Sequence, residues 1–191
     1  MRIVLASASP RRVELLKQFN IEFDIIPSDI DEIVRNHELP EQAVMSLAFE
    51  KAYQISKANT DAIVIASDTV VFFGDILGKP KDYEDAFNML KKLSGKTHEV
   101  YTGIALLCDE TKLKVVDYEV TKVQFNVLSD TDIKDYLETG EAYDKAGAYG
   151  IQGFGALLVN KIDGDYFNVM GLPLSKLNVL LKKHVQLDLM K

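Results

Sequence analysis

The sequence predicts an α/β protein, a mixed twisted sheet with flanking helices, and three observations carry that expectation. Apolar, β-branched runs such as "DAIVIASDTVVFF" read as buried strands. Stretches such as "PEQAVMSLAFEKAYQISKA" and "DYEDAFNMLKKLSG" instead repeat their apolar residues at helical spacing. No internal repeat, low-complexity tract or linker divides the 191 residues, so the elements belong to one domain spanning 1–191.

Each element can be justified in chain order. "MRIVLASAS" is a first strand, since its apolar part is far shorter than the ~7–15 residues of a signal-peptide core and "PRR" follows at once. Ser9 suits an N-cap and Pro10 a first helical position, with Val13, Leu16 and Phe19 along one face, so a helix begins at Pro10. "IEFDIIP" is a short strand, and "SDIDEIVRNHELP" an acidic loop. A helix opened by Pro40 then carries Val44, Leu47, Ala48 and Ala52 on one face. "DAIVIASDTVVFF" is interrupted at Ser67-Asp68-Thr69, and "GD" makes a turn. The helix in "DYEDAFNMLKKLSG" is capped by Asp82 and stopped by Gly95. Residues 98–127 are strand-like, with a hairpin break at "CDETK". "SDTDIKDYLET" is a helix capped by Ser129 and ended by Gly140. A glycine-rich stretch follows, then strand, turn and strand through "DYFNVMGLP", and "LSKLNVLLKKH" is an amphipathic last helix.

Composition narrows the function classes. Net charge is −7 with a pI near 5.0, which argues against general binding to duplex nucleic acid or an anionic membrane. No apolar run approaches the ~18 residues of a membrane span, so the chain is expected to be soluble. The single cysteine, Cys108, excludes an intramolecular disulfide and a cysteine-based zinc site. His37, His98 and His184 lack metal-ligand spacing. A reducing cytoplasm fits this composition.

Two features invite chemistry. Arg11 and Arg12 fall in the first turn of a helix, beside unpaired N–H groups and the positive end of the macrodipole. Acids would be more stable there, whereas paired cations form a site for phosphate or carboxylate. The bland alternative is two surface arginines paired with acids such as Glu14. Asp68 ends the apolar run "AIVIAS", and strand carboxyl ends in α/β sheets open onto the ligand crevice, where a carboxylate holds a metal or activates water. Its bland alternative is a turn or cap, which the immediate return of "TVVFF" makes unnecessary. Lys51 in "AFEKAYQ" and Lys79 in "LGKPKD" read by themselves as solvated lysines. Asp29, Asp31 and Glu32 offer oxygen ligands for a hard cation in what is otherwise a solvated acidic loop. "GAYGIQGFG" fits neither nucleotide-loop fingerprint, so its glycines say only that the backbone turns tightly or approaches something closely.

Taken together, "LASASPRRVELL", "DIDE", "FEKA", "ASDTVV", "GKPKD", "LSGKTHEVYTG", "DKAGAYGIQGFGALLV" and "GDYFNVMGLPLS" resemble the Maf family in order and spacing over nearly the whole chain. The family is also called the septum-formation inhibitor proteins. The resemblance implies a fold like that of inosine triphosphate pyrophosphatases, with two lobes around a deep cleft, a homodimer, a cytoplasmic setting, and hydrolysis of a nucleoside triphosphate to monophosphate and pyrophosphate with a divalent metal, magnesium or manganese. It also implies residue roles. Ser7, Arg11 and Arg12 would belong to the substrate loop, with the helix terminus on the triphosphate. Lys51 and Lys79 would complete a positive wall, and Glu32 and Asp68 the acidic, metal-holding side, with Asp68 as proton acceptor. Either acid of "DE", Asp31 or Glu32, could face the site.

Within the family, a subgroup acting on dTTP and UTP resembles this chain at Arg11, Thr69 and Gln152. A subgroup acting on modified guanosine and related triphosphates has an aromatic in place of the first arginine and Glu in place of the glutamine. A glutamine amide offers a donor and an acceptor, matching the edge of uracil or thymine, whereas a carboxylate offers acceptors only. The competing readings are a non-catalytic nucleotide-binding regulator of septum formation, a pyrophosphatase for modified nucleotides, and a phosphatase removing the terminal phosphate.

Overall fold

The computed structural model describes residues 1–33 and 38–191; residues 34–37, His37 among them, lie outside the described residues. In chain order the elements are β1 (Arg2–Leu5), α1 (Pro10–Leu16), β2 (Asp24–Ile25), α2 (Pro40–Ala58), β3 (Ala62–Phe73), β4 (Asp75–Leu77) and α3 (Tyr83–Leu93). There follow β5 (Thr97–Cys108), β6 (Leu113–Phe125), α4 (Asp130–Glu138), two 3-10 turns (Ala146–Ala148 and Gly153–Leu157), β7 (Val159–Asp163), α5 (Tyr166–Met170) and α6 (Leu174–Val185). The strands form a mixed sheet of order β2-β1-β3-β5-β6-β7, with β4 on β3. β1 pairs in parallel with β2 and β3, whereas β3–β4 and β6–β7 are antiparallel. The expected α/β class is the one observed.

The described residues group into two compact units. The first contains Met1–Asp68, Thr102–Glu119 and Gly171–Lys191. Val4 and Ala6, Val64 and Ala66, and Ala105 and Leu107 form a buried apolar layer with Ala48, Ala52 and Ile55 of α2. Small residues on both sides let the helix approach closely. At Gly103 a Cβ would stand 2.2 Å from the Val44 carbonyl oxygen, so only glycine lets α2 rest on β5 there.

The second unit contains Thr69–Tyr101 and Val120–Met170. Val71 and Leu77 of the β3–β4 hairpin pack with Ala86, Leu90 and Leu93 of α3, Ile133 and Leu137 of α4, and Phe125 and Tyr149. Both helices start where their capping residues predict. The Asp82 carboxylate accepts from the Asp85 N–H at 2.9 Å, and Ser129 with Asp132 forms a reciprocal capping box. Gly95 and Gly140 then end α3 and α4 at φ of 66° and 75°.

Four local expectations need correction. β3 runs unbroken through Ser67-Asp68-Thr69, so Asp68 is a mid-strand residue rather than a strand terminus. The two buried polar side chains do not break the ladder because both find partners off the sheet: Ser67 donates to the Gly171 carbonyl, and Asp68 accepts from Lys51. "IEFDIIP" contributes only Asp24 and Ile25 to the sheet, both exposed at its edge. The strand expected in "DYFNVM" is the helix α5, since Gly164 at φ 134° turns the chain against Thr121 and Asp165 then accepts from the Phe167 N–H at 2.8 Å. Ser9 occupies the N-cap position of α1 without capping it by its side chain; its own N–H donates to the Ser7 hydroxyl at 3.1 Å. Among the described residues no helix is long and apolar enough to cross a membrane.

Candidate active site

The first unit gathers most of the charged residues singled out from sequence. α2 buries Ala43, Val44, Leu47, Ala48, Lys51, Ala52 and Ile55, so Lys51 lies within the apolar stripe and is only 7% exposed. A buried ammonium must be paired. Lys51 Nζ donates to Glu32 Oε1 at 2.6 Å and to Asp68 Oδ1, joining two carboxylates through one cation. Asp68 is 6% exposed on β3, whereas Glu32 reaches in from the acidic loop with its side chain 41% exposed. Of the two neighbouring acids it is Glu32 whose carboxylate meets Lys51. The Asp31 carbonyl instead accepts from the Ile33 N–H at 2.9 Å.

Arg12 stands beside this cluster. Its Nε donates to the Gly171 carbonyl at 2.8 Å, and the buried Ser67 hydroxyl donates to the same oxygen at 2.9 Å. Burial pulls the Arg12 pKa below its ordinary value, Asp68 pushes it up, Arg11 pulls it down, and Glu32 pushes it up. All four charges therefore share one electrostatic neighbourhood. Arg11 and Arg12 do occupy the first turn of α1, where no acid is present. Ser7, 4% exposed, sits in the loop after β1, where the Ala6 N–H donates to the Ile65 carbonyl at 2.8 Å.

Thr69, Lys79 and Gln152 belong to the second unit. Thr69 is half-buried on β3, while Lys79 and Gln152 are exposed on loops. One glycine ties those loops together. Gly147, at φ 66°, donates its N–H to the Gly78 carbonyl at 3.0 Å, and a Cβ on it would come within 2.8 Å of Val71 Cγ2. The segment carrying Gln152 is thus seated on β3 and on the backbone preceding Lys79. His98 is elsewhere in this unit and serves its core. It is 2% exposed, its Nε2 meets the Tyr149 hydroxyl at 2.7 Å, and burial pushes its pKa down to about 4.

A family model described as Maf-like protein matches residues 2–184. The chain belongs to the Maf family. A dTTP/UTP pyrophosphatase of Clostridioides difficile is 54% identical to this Maf protein over 99% of the chain and 98% of the relative. A dTTP/UTP pyrophosphatase of Caldanaerobacter subterraneus is 55% identical over 96% of the chain and 89% of the relative. The solved Ham1 protein of Staphylococcus aureus aligns with 81% of the chain and 78% of its own at 18% identity and a TM-score of 0.45, too distant to bear on function.

The donor set of this Maf chain fits a hard divalent cation. Magnesium is usually held by one or two protein carboxylates, with phosphate oxygens and water completing its shell. Glu32 and Asp68, converging on one ammonium, are such a pair. Among the described residues no group of three or more His, Cys, Asp or Glu is brought together, so substrate and water would have to complete the shell.

The sequence carried an unused signal for Lys51: positions 44, 47, 48, 51, 52 and 55 form one stripe, and a lysine within it must be buried and paired. Ser67 was legible only as a polar residue within an apolar run. Gly171 left no side-chain signal, because its contribution is a carbonyl.

Proposed function

We propose that this Maf protein is a nucleoside triphosphate pyrophosphatase that hydrolyses dTTP and UTP to the monophosphate and pyrophosphate. The observation carrying the proposal is the buried Lys51 joining Glu32 to Asp68 beside Arg12, in a chain half-identical over its length to relatives named for that activity. In this reading Ser7, Arg11 and Arg12 bind the triphosphate, whose charge needs neutralising before a nucleophile approaches. Lys51 fixes Oδ1 of Asp68, and Oδ2 takes the proton of the water that attacks the α-phosphorus. Lys79 adds positive charge, and Thr69 and Gln152 select the base. Glu32 and Asp68 would hold magnesium or manganese, which supplies further neutralisation of phosphate charge.

The same reading takes 1–191 as one functional domain working in the cytoplasm as a homodimer, supported by the family resemblance. It favours catalysis over a non-catalytic regulator, because two carboxylates beside a polyanion oppose binding and serve chemistry. The test is to supply dTTP, UTP, CTP and GTP in turn with magnesium or manganese and to identify the first phosphorus product. Pyrophosphate from dTTP and UTP in preference to CTP and GTP is expected. Orthophosphate as first product, or no turnover of any of the four, would overturn the proposal.

A further inference from the structure

The geometry points to Glu141 as a positioning residue for base selection, acting with Lys145 to clamp the short loop that presents Gln152. This rests on the reading of Gln152 as the residue that meets the base.

Gln152 is exposed, with extended backbone at φ −109° and ψ 172°. A lone exposed glutamine discriminates poorly, because a mobile amide can turn its donor or its acceptor toward any edge. Discrimination requires the backbone beneath it to be fixed. Both flanks of Gln152 are held. On the C-terminal flank, Glu141 Oε1 accepts from the Phe154 N–H and Oε2 from the Gly155 N–H, both at 3.3 Å. These are among the otherwise unserved donors at the start of the 3-10 turn. Gly153, at φ 59°, is in the left-handed region that favours glycine, and a Cβ there would stand 2.4 Å from Glu141 Oε1 and displace the carboxylate. On the N-terminal flank, the Lys145 stem lies under Gly150, where a Cβ would meet Cε at 2.9 Å. Lys145 Nζ in turn donates to the Glu141 carbonyl and, at 2.7 Å, to Asp144. The loop also closes on itself, because a Cβ at Gly155 would stand 2.1 Å from the Gly150 carbonyl oxygen. Glu141 and Lys145 thus grip the loop on both sides of Gln152 and are tied to each other.

The experiment measures kcat/KM for dTTP and CTP in the wild type, Glu141→Ala, Gln152→Ala and the double variant, with melting temperature alongside. Glu141→Ala is expected to lower the dTTP-over-CTP preference about three- to tenfold, the scale of one lost hydrogen bond, with kcat on saturating dTTP little changed. In the Gln152→Ala background it should lower the preference no further. Glu141→Gln, which keeps one acceptor oxygen, should fall between wild type and Glu141→Ala, and it carries the test if Glu141→Ala does not fold. Equal losses on both substrates, or effects that multiply in the double variant, overturn the inference and leave the pyrophosphatase reading standing. A Gln152→Ala variant with unchanged preference overturns this inference together with that residue's assignment.

Discussion

Around Lys51 charged side chains hold one another, whereas around Gln152 side chains hold backbone. In the first region a buried lysine joins two carboxylates, and a guanidinium is tethered to a carbonyl. In the second, glycines at 147, 150, 153 and 155 let main chain and neighbouring groups approach more closely than any Cβ allows, and the glutamine they present is exposed. The contrast follows from what each region is proposed to handle. Charge in a reaction is best stabilised by groups already fixed and shielded from water. A base edge can be read only by a group that reaches the ligand, so the reader is exposed and the order lies beneath it.

The largest way to break this comparison is Asp68→Asn. Size and hydrogen bonding are kept while the proton-accepting charge is lost, so turnover should drop by about 10²–10⁴-fold with the fold intact by melting temperature. Full activity would remove Asp68 from the chemistry. Next is Arg12→Ala, expected to raise KM for the triphosphate about ten- to a hundredfold and to make it less salt-dependent. Its ligand-free melting temperature should hold or rise slightly, because relief of the burial cost, the largest influence on this guanidinium, offsets the lost attraction to Asp68 and Glu32, and the Gly171 carbonyl keeps the Ser67 hydroxyl. A drop of several degrees would make the arginine structural.

Two smaller effects test the second region. Gln152→Glu should lower dTTP and UTP hydrolysis by about five- to tenfold more than any residual purine activity, since the carboxylate has lost the donor. An unchanged ratio across dTTP, UTP, CTP and GTP would show that the glutamine faces solvent only. His98 offers a test of fold without chemistry. Its pKa lies near 4 in the fold and near 6.5 in the unfolded chain, so between those values the unfolded chain binds the extra proton. Stability from this group is therefore complete above about pH 6.5 and lost as pH falls toward 4, at about 1.4 kcal/mol per unit. Melting curves across that window should show the loss, and His98→Gln should flatten it; an identical slope in the variant would place the pH dependence elsewhere.

Much of the architecture was legible in the sequence because its signals are local. Asp82 and Ser129 cap the helices they were expected to cap, and the strand-like stretch 98–127 breaks where the β5–β6 hairpin turns. What escaped depends on partners remote in sequence. Ser67-Asp68 looked like an interruption of β3 because Gly171 and Lys51, which satisfy them, are invisible to a local reading. The segment of α5 reads as a strand because an apolar run of that length has no decisive period, and Gly164 against Thr121 decides it. Asp68 stands out in the sequence as a carboxylate within a buried run, although it lies in the middle of β3 and not at a strand end. Thr69, Lys79 and Gln152 take their roles from resemblance; Lys79 and Gln152 are exposed and Thr69 half-buried, which by itself does not distinguish them from ordinary surface residues.

The tether on Arg12 also sets a timetable. Its acceptor, Gly171, lies 159 residues further along the chain. At roughly 5–20 residues per second of synthesis, about 8–30 seconds separate the two on the ribosome. Throughout that interval the emerging chain carries its arginines without the carbonyl that aims one of them. The anchored arginine is thus among the last parts of the molecule to be assembled, and a chain broken off before residue 171 would lack it.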